Sequence, residues 1–65
     1  MKLNIYSNQS NQIIFTKIIT KEILHDYQIN INSDDFTELF ETEILNDIFE
    51  ENNINSSNVY YELIK

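Results

Sequence analysis

Two segments of the chain repeat one apolar spacing, and this pattern constrains the fold more than any other feature. Residues 15–27 (the first repeat) read FTKIITKEILHDY, and residues 36–48 (the second repeat) read FTELFETEILNDI, with six of thirteen positions identical at an offset of 21. In both repeats apolar residues recur every four positions, which is typical of an amphipathic helix. The pattern therefore predicts two helices of similar design.

Polar residues mark the expected ends of these helices. Ser10 or Asn11 can cap the first helix and Ser33 the second, because short polar side chains accept hydrogen bonds from the free N–H groups of a first turn. The chain contains no glycine and no proline. Asparagines then stand where glycine would normally end a helix, because asparagine tolerates left-handed geometry. Ser57 predicts the start of a short third helix.

These elements predict a mainly α fold, a small helical hairpin or three-helix arrangement, with or without a short N-terminal β-strand at residues 2–7. The alternative is α+β, a small sheet with two helices, because residues 2–7, 27–31 and 59–63 show strand-like alternation. A chain of 65 residues forms at most one small domain, so residues 1–65 are expected to be a single domain. The core expected in either fold is Phe15, Ile19, Ile23, Phe36, Phe40, Ile44 and Ile48.

Charge is distributed unevenly along the chain, with a net charge of −7. Residues 1–21 contain three lysines and no acid, whereas residues 22–64 contain eleven acids and no base. A protein that binds nucleic acid directly needs basic residues to neutralise phosphates. The sequence therefore predicts no direct contact with nucleic acid.

Composition also bears on the compartment. The longest apolar run, residues 13–15, has three residues, which is far too short for a membrane span or a signal peptide. The absence of cysteine suits a reducing interior. We expect a soluble cytoplasmic protein without membrane contact. Isoleucine and asparagine dominate, which indicates an AT-rich gene, as in many small phage, plasmid, organelle or low-GC bacterial genes.

Little in the sequence indicates catalysis. There is no cysteine, a single histidine and no glycine-rich phosphate loop. We therefore expect no enzyme, no cofactor and no resident metal. One weaker hypothesis is a calcium-binding helix-loop-helix, since residues 30–41 place oxygen side chains at five ligand positions of an EF-hand-length loop. Asp35 occupies the position where such loops require glycine.

The second repeat lies in a strongly acidic stretch, in which like charges at helical spacing repel one another. Because the apolar scaffold is shared with the first repeat, the fold itself does not require this acid. We hypothesise a small acidic, non-enzymatic protein-binding module that occludes a basic nucleic-acid-binding surface of a partner protein. Phage anti-defence inhibitors and nuclease immunity proteins offer an analogy of size and charge. The expected partner-binding residues are Asp34, Asp35, Glu38, Glu41, Glu43, Asp47, Glu50, Glu51, Tyr60 and Tyr61.

The alternative function is a structural or regulatory helical subunit that binds through its apolar face. This contact would survive high salt, whereas a contact made by the acids would not. A homodimer is compatible with both hypotheses, because a domain of this size buries little surface by itself.

Overall fold

The computed structural model describes all 65 residues. Strands β1 (Lys2–Ser7) and β2 (Ile13–Ile18) are followed by the short helix α1 (Lys21–Asp26). A long helix comes next, in which α2 (Phe36–Leu39) and α3 (Asn46–Glu51) flank a π-helical segment (Phe40–Leu45). A 3₁₀ turn (Ser56–Asn58) leads into strand β3 (Val59–Ile64).

The three strands form one antiparallel sheet in the order β2-β1-β3. β1 is central, so Leu3 pairs with Lys17 of β2 and with Leu63 of β3. The pairing of β1 with β2 shifts between Ile5 and Tyr6, which inserts an extra residue of β2 as a β-bulge. One face of the sheet is covered by the helices and the other is open.

The mainly α prediction is wrong, because the protein is α+β with a three-stranded sheet and only one long helix. The error lies in the first repeat, whose N-terminal part forms β2 and whose C-terminal part forms α1. Residues 13–20, IIFTKIIT, are mostly β-branched, and β-branched side chains favour strands over helices. Thr20 then begins α1, since its hydroxyl accepts a hydrogen bond from Ile23 N at 3.2 Å.

Four local predictions also need correction. Residues 59–64 form strand β3 and not a third helix, and residues 27–31 contain no strand. Ser10 and Asn11 lie in the connection between β1 and β2, where Asn11 adopts a left-handed φ of 59°. Ser33 does not cap the long helix with its side chain; its hydroxyl donates to the carboxylate of Asp35.

The core lies between the covered face of the sheet and the long helix. Five of the seven expected core residues are buried, and the other two, Phe15 and Ile23, are half-buried against the cluster. Leu3 and Ile5 of β1 are fully buried and complete the sheet side of the core. The five expected residues that are buried are Ile19, Phe36, Phe40, Ile44 and Ile48.

Candidate protein-binding surface

The expected acidic residues lie along the outer side of the long helix and in the turn before it. Asp34 and Asp35 precede the helix, and the other six lie within it. Seven of the eight are exposed, and Asp47 is half-buried. Most of the expected carboxylates are therefore exposed, although they do not all belong to one element. The eight are Asp34, Asp35, Glu38, Glu41, Glu43, Asp47, Glu50 and Glu51.

The π-helical segment sets which side of the long helix faces the core. Apolar residues spaced by four would rotate about 40° per step on a regular α-helix, so the stripe would leave the core. A π segment has wider turns because its hydrogen bonds run from residue i to i+5. Phe40, Ile44 and Leu45 are all buried as a result, and the neighbouring acids stay on the solvent side.

A side chain supports the backbone at the start of the π-helical segment. Thr42 Oγ1 donates to the carbonyl oxygen of Glu38 at 3.0 Å and lies 3.5 Å from that of Leu39. Such a hydroxyl satisfies backbone oxygens where the regular hydrogen-bond ladder changes. This hydroxyl therefore stabilises the point at which the helix type changes.

Two carboxylates of the long helix bind tyrosines from other elements. Tyr27 Oη donates to Asp47 Oδ2 at 2.5 Å, and Tyr61 Oη donates to Glu41 Oε1 at 3.1 Å. The hydrogen bond to Asp47, with burial, raises the pKa of Tyr27 to about 12. Burial, with the hydrogen bond to Glu41, raises the pKa of Tyr61 to about 12. These two acids therefore hold the helix in place as well as carrying charge.

Four other acids are better suited to meet a partner. Asp34, Glu38, Glu43 and Glu51 are exposed, and none of the tyrosine or serine hydrogen bonds described above involves them. Since no lysine lies between residues 22 and 64, no neighbour in sequence neutralises them. What these four carboxylates share is exposure to solvent.

The end of the long helix is closed without glycine. Asn53 has a left-handed φ of 55°, and Ile54 N donates to the Phe49 carbonyl at 2.9 Å, as in a Schellman motif. Asn52 Nδ2 donates to the Ile48 carbonyl at 2.8 Å. Glu50 and Glu51 lie at the C-terminal end of the helix, where the helix dipole disfavours negative charge. The hydrogen bonds from Ile54 and Asn52 offset part of this cost by satisfying the last carbonyl groups.

The lysines lie on the sheet, after β3 and on α1, and two of them come close to the long helix. Lys2 of β1 pairs with Ile18 and Ile64, and the next row of the sheet contains Lys17. Lys65 follows β3, and its ammonium lies 4.9 Å from the centroid of the Phe36 ring. The uneven charge of the sequence is therefore not a separation in space, because Lys17 borders the same cavity as Asp47 and Glu51, and Lys65 lies at the first residue of the long helix.

The two tyrosines expected at the interface point to opposite faces of β3. Tyr61 faces the core, where its ring lies 5.9 Å from that of Phe40. Tyr60 lies on the open face, stacked on Tyr6 with 5.0 Å between centroids and 6° between ring planes. Tyr61 is half-buried and Tyr60 lies on the other face of the sheet. Neither tyrosine is therefore placed beside the exposed side of the long helix, where it could contact the same partner as the acids.

A second exposed surface, the open face of the sheet, does not follow from the sequence pattern. Ile13 and Ile18 of β2 and Ile64 of β3 are exposed there although they are large and apolar. The alternation of residues 59–64 was a usable signal for the β3 part. The β2 part was hidden by the four-residue spacing of the first repeat.

The loop considered for calcium uses its oxygens locally. Asn30 Oδ1 accepts a hydrogen bond from Asn32 N at 2.9 Å, and Glu41 accepts from Tyr61. No three His, Asp or Glu side chains of the protein come together in a group that fits a metal ion. The loop therefore acts as the turn between α1 and the long helix.

No protein-family model, no curated protein and no solved structure matches this chain. None of its helices has both the length and the apolar character needed to cross a membrane.

Proposed function

We propose that the protein is a small acidic, non-enzymatic binding module, and that the outer face of its long helix occupies a basic, nucleic-acid-binding surface of a partner protein. The observation that carries this proposal is the set of exposed carboxylates at Asp34, Glu38, Glu43 and Glu51, on an element with no lysine. Rows of carboxylates present the negative charge that Lys and Arg side chains otherwise find in phosphates.

The packing of the long helix supports the acidic face over the apolar stripe as its contact surface. Phe36, Phe40, Ile44 and Ile48 are in the core and have no surface left for a partner. An electrostatic contact of the remaining face gains association rate and specificity, and it weakens as salt screens the charges. Inhibition then follows from occlusion, since a partner covered by the helix cannot hold DNA or RNA at the same site.

The test uses two double variants with the same change of net charge. Glu38→Lys with Glu43→Lys reverses charge on the long helix, whereas Glu22→Lys with Asp26→Lys reverses it on α1, where both residues are also exposed. The wild-type chain and both variants are immobilised, and proteins captured from the native host are identified by mass spectrometry. We expect basic proteins to bind the wild type and the α1 variant and not the long-helix variant.

Salt and duplex DNA test whether the captured partners are held by charge at a nucleic-acid-binding surface. Bound partners should elute between 0.1 and 1 M salt, where the screening length falls from about 10 Å to about 3 Å, and duplex DNA should displace the immobilised chain from them. Capture that resists salt and DNA, or an equal loss in both double variants, would contradict the proposal. Circular dichroism of each variant establishes that it is folded.

A further inference from the structure

A cavity of about 200 Å³ lies beside the long helix, between that helix, α1 and strand β2. It opens to solvent, because Lys17 of β2 and Glu51 of the long helix line it and are both exposed. Sites that take up a whole small molecule commonly measure about 300–1,000 Å³ and enclose most of it. A smaller, open cavity is better suited to one side chain of a larger partner.

The inner part of this cavity is apolar. Ile44 and Ile48 of the long helix are only 1% and 5% exposed, and Ile23 of α1 is half-buried. Tyr27, which is also half-buried, adds an aromatic ring to the lining. Long basic side chains bury their methylene groups along such surfaces while the charged end stays near water. The lining therefore favours the aliphatic part of a side chain.

Two carboxylates stand beside this apolar lining. Asp47 and Glu51 are four residues apart, which places them on one side of the helix. Tyr27 Oη donates to Asp47 Oδ2 at 2.5 Å, so Asp47 Oδ1 is left to accept from a partner. The pKa of Tyr27 is raised to about 12 by this hydrogen bond first, then by burial and by the charges of Asp47, Glu51 and Glu43. The potential at the phenol is therefore negative, which favours a cation beside it.

Charge and shape together select a guanidinium group. The charged groups that line the cavity are the carboxylates of Asp47 and Glu51 and the single ammonium of Lys17, so the lining is negative overall. A guanidinium is planar, stacks on aromatic rings and donates separate N–H groups to two acceptors, whereas an ammonium acts as a compact point charge. Tyr27 supplies the ring, and Asp47 Oδ1 and Glu51 supply the acceptors.

We infer that this cavity receives an arginine side chain of the basic partner, with its methylene groups against the isoleucines and its guanidinium between Asp47 and Glu51. The inference rests on the proposed function and adds the partner residue that anchors the long helix. Arginine is among the residues that most often dominate binding when they enter a pocket at an interface. Lys17, at the side of β2, opposes the incoming charge, so its removal should strengthen binding.

Titration of the full chain with N-acetyl-arginine methylamide, followed by the NMR signals of its backbone amides, tests the inference without the partner. We expect saturable shifts in the millimolar range at Ile23, Tyr27, Ile44 and Ile48, because a single side chain makes few contacts. N-acetyl-citrulline methylamide is the matched probe, since it has nearly the same shape and a neutral urea in place of the guanidinium. Equal shifts with both probes, or shifts spread over all the acids of the helix, would overturn the inference.

Two pairs of variants locate the site. Glu51→Gln should weaken binding of the arginine probe about two- to fivefold, as expected for a partly exposed ion pair, whereas Glu50→Gln, the exposed neighbour with the same change of charge, should not. Lys17→Gln should strengthen binding about twofold because it removes a like charge, whereas Lys2→Gln should not. A gain of affinity does not arise from a folding defect. Equal effects within either pair would overturn the inference.

The capture experiment separates this inference from the proposed function. Glu51→Gln should release basic partners at lower salt than Glu50→Gln does. If basic proteins are captured equally by both variants, the long helix binds them without this cavity, and the inference fails alone. If no basic protein is captured by the wild-type chain, the proposed function fails, whatever the titration shows.

Discussion

The first and second repeats share their spacing of apolar residues but not their structure. The first is divided between β2 and α1, whereas the second forms one helix with a π-helical segment. Residues 13–20 are mostly β-branched, while residues 34–41, DDFTELFE, include a single β-branched residue. Where the apolar spacing is compatible with both a strand and a helix, β-branched side chains favour the strand and unbranched ones favour the helix.

The largest expected difference between the repeats is at their paired phenylalanines. Phe36 is buried in the core, whereas its counterpart Phe15 is half-buried. Phe36→Ala should lower the free energy of unfolding by about 3–5 kcal/mol because it leaves a cavity, and Phe15→Ala by about 1–2 kcal/mol because less apolar area is lost. Urea denaturation of both variants measures the difference. Equal losses would mean that the two repeats contribute equally to the core.

Replacing the threonine at the equivalent position of each repeat by alanine should change stability in opposite directions. Thr16→Ala removes the hydrogen bond to the buried Asn4, which should cost about 1–2 kcal/mol. Thr37→Ala, at the equivalent position, replaces an exposed helical threonine by the best helix former and should raise stability by about 0.5 kcal/mol. Thermal denaturation of the two variants under identical conditions checks the sign. A loss of stability in both variants would show that the two threonines stabilise the protein in the same way.

High pH should break a hydrogen bond that joins the two repeats. Tyr27 of the first repeat donates to Asp47 of the second, and its pKa is raised from 10.0 to about 12. The folded state thus holds this proton more tightly than the unfolded state. The contribution of Tyr27 to stability is complete below pH 10 and is lost as pH rises through about 12.

Tyr27→Phe is the matching variant for this pH dependence. Between about pH 9 and about pH 12, its free energy of unfolding should fall less than that of the wild type. Urea denaturation at several pH values in this range measures the difference. Asp26→Asn is the control, because Asp26 is the exposed counterpart of Asp47. If the wild type and Tyr27→Phe lose stability in parallel, the phenol of Tyr27 is not the titrating group.

The smallest expected effect is at the left-handed residues that end the two helical segments. Gln28 has a φ of 57° after α1, and Ile29 N donates to the Leu24 carbonyl at 2.9 Å, as in the motif at Asn53. Gln28→Gly should raise stability by about 0.5 kcal/mol, and Asn53→Gly by less, because asparagine tolerates this geometry better than glutamine. Differential scanning calorimetry would detect the larger shift, and a loss of stability in Gln28→Gly would contradict the reasoning.

Local physics made part of the fold predictable. The second repeat was recognisable as a helix because its spacing, its helix-forming residues and the polar residues around it agree. Asn53 ends that helix in left-handed geometry as expected. Burial of Phe36, Phe40, Ile44 and Ile48 follows from the same pattern.

The structure of the first repeat does not follow from its apolar spacing, for a specific physical reason. Phe15 in β2, Ile19 after it, and Ile23 in α1 all pack toward the core although they belong to different elements. Their spacing of four therefore reflects a strand that runs into a helix over the same core. Spacing alone does not distinguish this path from one continuous helix, so the mostly β-branched composition of residues 13–20 is the feature that favours the strand.

For the candidate surface, the sequence predicts only that the acids are exposed to solvent. Acids on the solvent side of a helix follow from its apolar stripe, but the tyrosine partners of Glu41 and Asp47 each lie 20 residues away in sequence. No local spacing reveals such pairs, because they depend on how the sheet and helices pack. The open sheet face depends in the same way on the register of three strands.

The central position of β1 governs how the chain reaches its folded state. β1 and β2 are joined by a short connection and can pair early, but the other edge of β1 receives β3 from the far end of the sequence. Closing so long a loop is entropically costly and makes folding slower than in a protein with mainly local contacts. During synthesis the sheet therefore stays incomplete, with one side of β1 unpaired, until the last strand has left the ribosome.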